Sequence, residues 1–431
     1  MISLLQGIWV FLIFIFLILR FKIGIALYLA YIMLVPYMNI KIGGIPLQWN
    51  FVNLIVLIVS LYKFKTKNIR IDYKPFVPFL IYFGISFVLM IIQDGVPFHV
   101  EFNLWRIQVM KYLILPFALW NEMKTDISTI RLYRNVAIVC IFISVIYGLF
   151  LTTIPGVNPY MMLLSEANGD SFNSDYALAL GEGRIFGRIS SVYIHPMLFG
   201  AVLGLSLIYV FYNRERINKY LFAILLLSII IDVFVCGVRS VIGGVAVAVV
   251  FFFLQARNYK LMIIAAIIGF VGYQIIINIP DLAVYIGSIT DVNNKHQAVT
   301  GSSIDMRLEQ LYGCFKEIQD CLFQGKGFGW TSYYHDIHGD HPIILAFESL
   351  IFVVLCNGGI IGIFMWAFMC FKIIKYNNQH ELSTSSLLNS LLIFYIAYSC
   401  ITGEYGYMQF FILFYILMLG ENLCKRTNMK K

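Results

Sequence analysis

The chain has 431 residues, of which 60% are hydrophobic and only 13% charged, and its mean hydropathy is +0.82. That composition excludes a soluble globular protein and points to a polytopic membrane protein. The formal net charge of +8 lies in short loops between apolar runs, where the preference of Lys and Arg for the cytoplasmic side accounts for it; no basic tail or stripe remains to bind nucleic acid.

Apolar runs able to span a bilayer occur at about 4 to 19, 23 to 38, 47 to 62, 76 to 92, 105 to 120, 135 to 154, 196 to 212, 220 to 236, 240 to 254, 261 to 279, 343 to 371, 386 to 401 and 406 to 422. The expected fold is therefore all-α, with about 12 to 13 transmembrane helices. No basic residue precedes Arg20, and apolar sequence follows at once, so a cleaved signal peptide is not expected. Lys63, Lys65, Lys67, Arg70 and Lys74 form the strongest basic cluster, and Arg214, Arg216, Lys219, Arg257, Lys260, Lys425 and Arg426 share its parity. Those loops are expected to face the cytoplasm.

The alternate loops are neutral or acidic. Loop 155 to 195 sets Glu166, Asp170, Asp175 and Glu182 against Arg184 and Arg188, while 280 to 341 has eight acidic residues against four basic ones. Both are expected outside, in the periplasm, which divides the chain into helices 1 to 154, a central group 155 to 279, a large loop 280 to 342 and a closing group 343 to 431. Within the large loop, Leu308, Leu311, Tyr312, Phe315, Ile318 and Leu322 recur at helical spacing. They predict a helix lying with that face against something apolar.

Candidate chemistry clusters beside these two loops. Arg184, Arg188, Arg239 and Arg307 stand on the side where arginine is disfavoured. A single interfacial arginine is adequately explained by snorkelling, but a guanidinium fork is also the group of choice for phosphate, and the set reads as a pyrophosphate clamp. Arg106 and Lys111, near the start of the fifth run, are explained by snorkelling, with lipid phosphate as the alternative partner. His335, Asp336, His338, Asp340 and His341 lie between a glycine turn (Gly325, Gly327, Gly329) and the next apolar run. Gly339 and Pro342 argue against a regular zinc-binding helix through them, and no HExxH pattern occurs, so no metal is expected. The sharper reading makes His338 or His341 a general base. Glu348 is read as lying inside the following helix, where a carboxylate is either functional or paired with an arginine. The strings GEGRIFG and GKGFG follow no strand and lack a P-loop lysine-serine pair. His195 before Pro196 suits a helix entry as well as catalysis.

In these residues the second half of the chain resembles the superfamily of O-antigen polymerases and O-antigen ligases. The matching pieces are Arg188 followed by SSVYIHP and an apolar helix, Arg239 with Ser240 opening the next span, MRLEQLYGCFKEI before LFQGKGFG, and the closing ESLIFVVLCNGGIIG. The resemblance implies an α-helical membrane fold with a large periplasmic loop that itself contains helices, in the bacterial inner membrane. It also implies transfer of a glycan from undecaprenyl pyrophosphate to a sugar hydroxyl, with no cofactor, and maps the arginines onto the pyrophosphate. A lipid-linked oligosaccharide and the bilayer are then the expected partners, with a chain-length regulator as a further candidate. Ligases usually carry a His-Asn pair before the last long helix. Here Pro342 follows His341, and the Glu348-Ser349 pair is of the kind associated with polymerases, so polymerase is the preferred expectation and ligase the alternative. A lipid-linked sugar transporter is the competing class.

Overall fold

The computed structural model describes residues 2–35, 40–42, 45–47, 49–168, 188–278, 304–404 and 406–428. Every one of the thirteen apolar runs contributes a helix. In order these are α1 (Ile2–Leu19), α2 (Phe21–Leu34), α3 (Trp49–Thr66), α4 (Val77–Leu89), α5 (Phe98–Thr125) and α6 (Ser128–Leu151). After the short α7 (Pro159–Asn168) come α8 (Pro196–Tyr212), α9 (Lys219–Val235), α10 (Arg239–Gln255) and α11 (Tyr259–Ile277). Two more short helices, α12 (Ile304–Glu317) and α13 (Trp330–His338), precede the closing α14 (Leu350–Asn377), α15 (Leu382–Thr402) and α16 (Tyr407–Asn428). A hairpin of three-residue strands, Ile40–Ile42 and Ile45–Leu47, joins α2 to α3.

Three helices, Ser128–Leu151, Leu350–Asn377 and Leu382–Thr402, are long and apolar enough to cross a membrane, and several shorter ones are apolar. Large apolar side chains stand exposed around the bundle, among them Phe11, Ile58, Val88, Leu227, Phe270 and Phe364. A monomer in water rarely presents so much apolar surface. The innermost layer is α16, where Phe411, Phe414 and Tyr415 are fully buried and Tyr395 of α15 stacks on Phe411 with ring centroids 4.9 Å apart. Around it lie α5, α6, α8 and α15, and α10 packs along α15.

Polar contacts sort the connecting segments into two ends. At one end, Lys63 donates to Ile18 O, Lys124 pairs with Asp72, and the fully buried Glu421 receives both Arg134 at 3.3 Å and Arg216 at 3.2 Å. Asn389 reaches Gln255 and Asn378 at the same end. At the other end, Tyr160 donates to Leu34 O, Asn158 holds Ser190 and Ser191, and Arg307 meets Glu348 and Ile401. Successive long helices therefore run in alternate directions.

One helix is not continuous. In α14, Gly359 has φ 60° and ψ −155°, which breaks the hydrogen-bond ladder after Asn357. The segment 322–327 fills the gap: Ile360 N and Ile361 N donate to Leu322 O and Phe323 O at 3.0 Å, while Lys326 N and Gly327 N donate to Cys356 O and Asn357 O at 2.8 and 3.1 Å. Four backbone groups at the break, two amides and two carbonyls, thus find partners, as buried backbone groups must. The approach is backbone to backbone: a Cβ on Gly325 would stand 2.5 Å from Gly359 N, and one on Gly359 would stand 2.5 Å from Phe323 O. The glycine string GKGFG and the glycines of ESLIFVVLCNGGIIG thereby meet at one junction, whereas GEGRIFG lies outside the described residues.

Candidate functional site

The junction is held from a third direction. Gln93, just beyond α4, donates its amide to Gln324 O and to Asn357 O, the latter at 2.9 Å. Glu101, in the first turn of α5 ahead of the run 105 to 120, is fully buried, and its Oε1 accepts from Phe328 N at 2.8 Å. Burial pushes its carboxyl up to about 7, against the lowering effect of that amide. Asn357 Oδ1 accepts from Thr331 N at 3.0 Å and so seats the start of α13.

Beside the junction lies a cavity of about 320 Å³ between α4, α5, α13, α14 and the turn before α16. Its polar wall includes Gln108, Thr331, Ser332, His335, Asp336 and Asn357. Aromatic faces come from Tyr82, Phe83, Tyr112, Phe328, Phe347 and Trp366. Glu404 lies at its floor, with Oε2 accepting from Tyr395 at 3.0 Å and Oε1 accepting from Met408 N at 3.1 Å.

The segment between α13 and α14 was expected to be helical from about residue 343, with Glu348 inside the helix. Instead His341 and Leu345 exchange backbone hydrogen bonds at 3.1 and 2.9 Å, and Leu345 and Phe347 take positive φ, so the helix starts only at Leu350. Ser349 is its N-cap: Oγ accepts from Ile351 N at 3.2 Å and donates to Cys400 O at 2.7 Å. Arg307 extends the same docking, donating to Glu348 O at 3.1 Å and Ile401 O at 2.7 Å. The last carbonyls of α15, which have no partners within their own helix, are thus taken by Ser349 and Arg307. Burial lowers the affinity of Arg307 for its proton, and the nearby Glu348 carboxylate offsets that in part.

His341 is buried, and its Nδ1 accepts from both Ile343 N at 3.1 Å and Ile344 N at 3.0 Å, which leaves Nε2 to carry the hydrogen facing Glu317 Oε2 at 3.5 Å. Lys326 completes this group at 3.4 Å from Glu317. His338 is exposed at the end of α13 with its ring 4.9 Å from that of Tyr334. His335 lines the cavity and stands 3.4 Å from exposed Asp340. Among the described residues no three His, Cys, Asp or Glu side chains gather as a metal-binding group.

Of the four arginines, Arg184 lies outside the described residues. Arg188 and Arg239 are drawn together through their backbones, because Ile189 N donates to Cys236 O at 3.3 Å in the turn that leads to Arg239 at the start of α10. His195 caps α8, accepting from Met197 N at 3.1 Å through Nδ1. Burial, aided by the positive charge of Arg188, holds its imidazole down at about 4. Arg188, Arg239 and Arg307 therefore share the end of the bundle that holds the cavity, but none of them lines it.

Sequence reasoning passed over Gln93, Glu101, Asn357 and Glu404. The two carboxylates carried a usable signal, since each adjoins an apolar run where a charge calls for a reason. Gln93 and Asn357 carried none, because each acquires its meaning from backbone groups distant in the chain, Gln93 from residues 324 and 357 and Asn357 from the Thr331 amide. Comparison with protein-family models and with curated proteins finds no match to this chain.

Proposed function

We propose that the chain is a polytopic membrane glycosyltransferase of the O-antigen polymerase type, which moves a glycan from undecaprenyl pyrophosphate to a sugar hydroxyl at the end of the bundle that carries the cavity. The exposed apolar flanks and the sorting of Lys63, Lys124, Arg134 and Arg216 to the opposite end support an inner-membrane protein with that opposite end in the cytoplasm. The cavity and the large loops then face the periplasm.

The observation that carries the reading is the position of segment 347–350. Phe347 and Leu350 form part of the cavity wall, and the Glu348 carbonyl between them holds Arg307. Glu348, whose carboxylate acts on the Arg307 charge, thus belongs to a segment that joins a guanidinium suited to phosphate to the wall of a cavity suited to a small polar ligand. In the proposed step the acceptor oxygen attacks the anomeric carbon and the carbon–oxygen bond to pyrophosphate breaks with its electron pair. The charge developing on the leaving group is met by Arg188, Arg239 and Arg307. Glu348 takes the hydroxyl proton. The engagement of both His341 nitrogens favours Glu348 over that histidine, and His338 is the remaining alternative.

The test is conversion of lipid-linked single repeats into longer chains by the purified protein in detergent, where transport cannot register. Polymer formation supports the proposal. Single repeats left unextended in detergent, together with cells of a deletion strain that accumulate unligated polymer on the carrier lipid, would replace it with the ligase reading.

A further inference from the structure

We propose that the cavity is a subsite for one or two neutral sugar rings at the acceptor end of the glycan, and that the lipid pyrophosphate is held outside it. This rests on the glycosyltransferase reading and adds to it a place and a chemical class for the acceptor.

The lining charges decide against an anion. Asp336 and Glu404 face the cavity, and neither Arg nor Lys does. A pyrophosphate there would meet two carboxylates, with His335 at the mouth and with Lys111, which does not line the cavity, already set against Glu404. The polar atoms decide against a hydrocarbon tail. Gln108, Ser332 and Asn357 line the cavity with amide and hydroxyl groups that call for hydrogen-bonding partners, which an isoprenoid lacks. A pyranose satisfies both halves of the wall, offering C–H faces to aromatic rings and a rim of hydroxyls to the polar side chains. A volume of about 320 Å³ is near the lower bound for small-ligand pockets and too small for a repeat with its lipid. The exposed Ser332 and His335 mark the mouth, and Phe347, next to Glu348 in the chain, forms part of the wall.

The experiment is saturation-transfer NMR on the full chain in lauryldimethylamine oxide, which carries no sugar, with the methyl glycosides of glucose, galactose, N-acetylglucosamine and rhamnose as probes. At least one glycoside should receive saturation. The transfer should survive Leu308→Ala, outside the cavity, but fall roughly tenfold in Gln108→Leu, which removes a lining amide, and in Ser332→Trp, which fills the mouth. Unchanged melting temperatures establish that these variants are folded. Excess inorganic pyrophosphate or farnesol should leave the signal in place. Absence of transfer to all four glycosides, its persistence in Ser332→Trp, or displacement by farnesol would each overturn the assignment. Glycoside binding without any polymerisation would sink the enzyme reading alone, whereas undiminished polymerisation by a folded Ser332→Trp would sink the subsite alone.

Discussion

His341 and Glu348 belong to the same short connection, yet their surroundings assign them different work. His341 spends both ring nitrogens on its neighbours, capping two backbone amides and facing Glu317. Removing the ring in His341→Ala leaves the buried Ile344 amide without an acceptor, so thermal unfolding should show a loss of roughly 1–3 kcal/mol. Glu348 binds Arg307 through its carbonyl, which Glu348→Gln retains. That variant should keep its melting temperature and lose polymer formation by about a hundredfold or more. A second residue-scale expectation concerns His195. Its folded pKa of about 4 lies below the usual imidazole value of 6.5, so the unfolded chain takes up a proton first as pH falls. Stability should be lost as pH drops from about 6.5 towards about 4, and protonation also removes the Nδ1 acceptor that caps α8. His195→Asn retains a capping side chain without the titration. Its melting temperature should vary less with pH than that of the parent across this window, and equal slopes would remove the assignment.

Among the elements, the broken α14 and the segment that fills its break stand or fall together. Gly359→Ala forces a Cβ into the left-handed region and to within 2.6 Å of Leu322 O, so it should destabilise by more than ~1 kcal/mol, whereas Gly7→Ala, with open space around it, should not. Comparison of melting temperatures in detergent checks this. The elements themselves were largely legible, since each of the thirteen apolar runs contributes a helix. Their faces were legible only in part. Of the apolar spacing in and after α12, Ile318 is buried and Leu311 and Leu322 pack on the same cluster, whereas Leu308, Tyr312 and Phe315 are exposed and Gln310, Gly313 and Cys314 complete the buried side. Hydropathy records preference for an apolar surrounding but does not say whether protein or lipid supplies it, and small residues are what allow close backbone approach. The late start of α14 was hidden for a different reason. Residues 343–347 are apolar enough for a helix, and only the contacts of His341 and Ser349 hold them out of one.

For the whole molecule, the alternation of basic and acidic loops and the sorting of polar contacts agree on two ends. Reporter fusions at Asn173 and Asn294 should give periplasmic signals, and fusions at Lys65 and Arg214 cytoplasmic ones; cytoplasmic signals at the first pair would overturn the orientation. Glu421 ties α6, the α8–α9 connection and α16 together at the end opposite the cavity. Because Glu421→Ala leaves two guanidinium groups without their shared counter-charge, it should destabilise by about 3–5 kcal/mol, read as loss of folded protein on heating in detergent. The sequence made the two ends legible through charge alone. It could not reveal the cavity, whose walls come from α4 and α5 in the first half and from α13 and α14 in the second.

That joint construction bears on how the chain comes to be made. The N-terminal helices leave the ribosome long before α14, and on the membrane reading they are already in the bilayer when it arrives. Ile360 and Ile361 take their hydrogen-bond acceptors from residues 322 and 323, and Asn357 takes an amide from Gln93. Until those partners close over the break, α14 would carry open amides and carbonyls into hydrocarbon, which only protein or water can relieve. On that reading, entry of the closing helices depends on the prior presence of Gln93 and of segment 322–327. A nascent chain stalled before Gln93 is paired would be held as an incomplete intermediate, recognisable to the membrane's quality-control proteases by the helix it cannot bury.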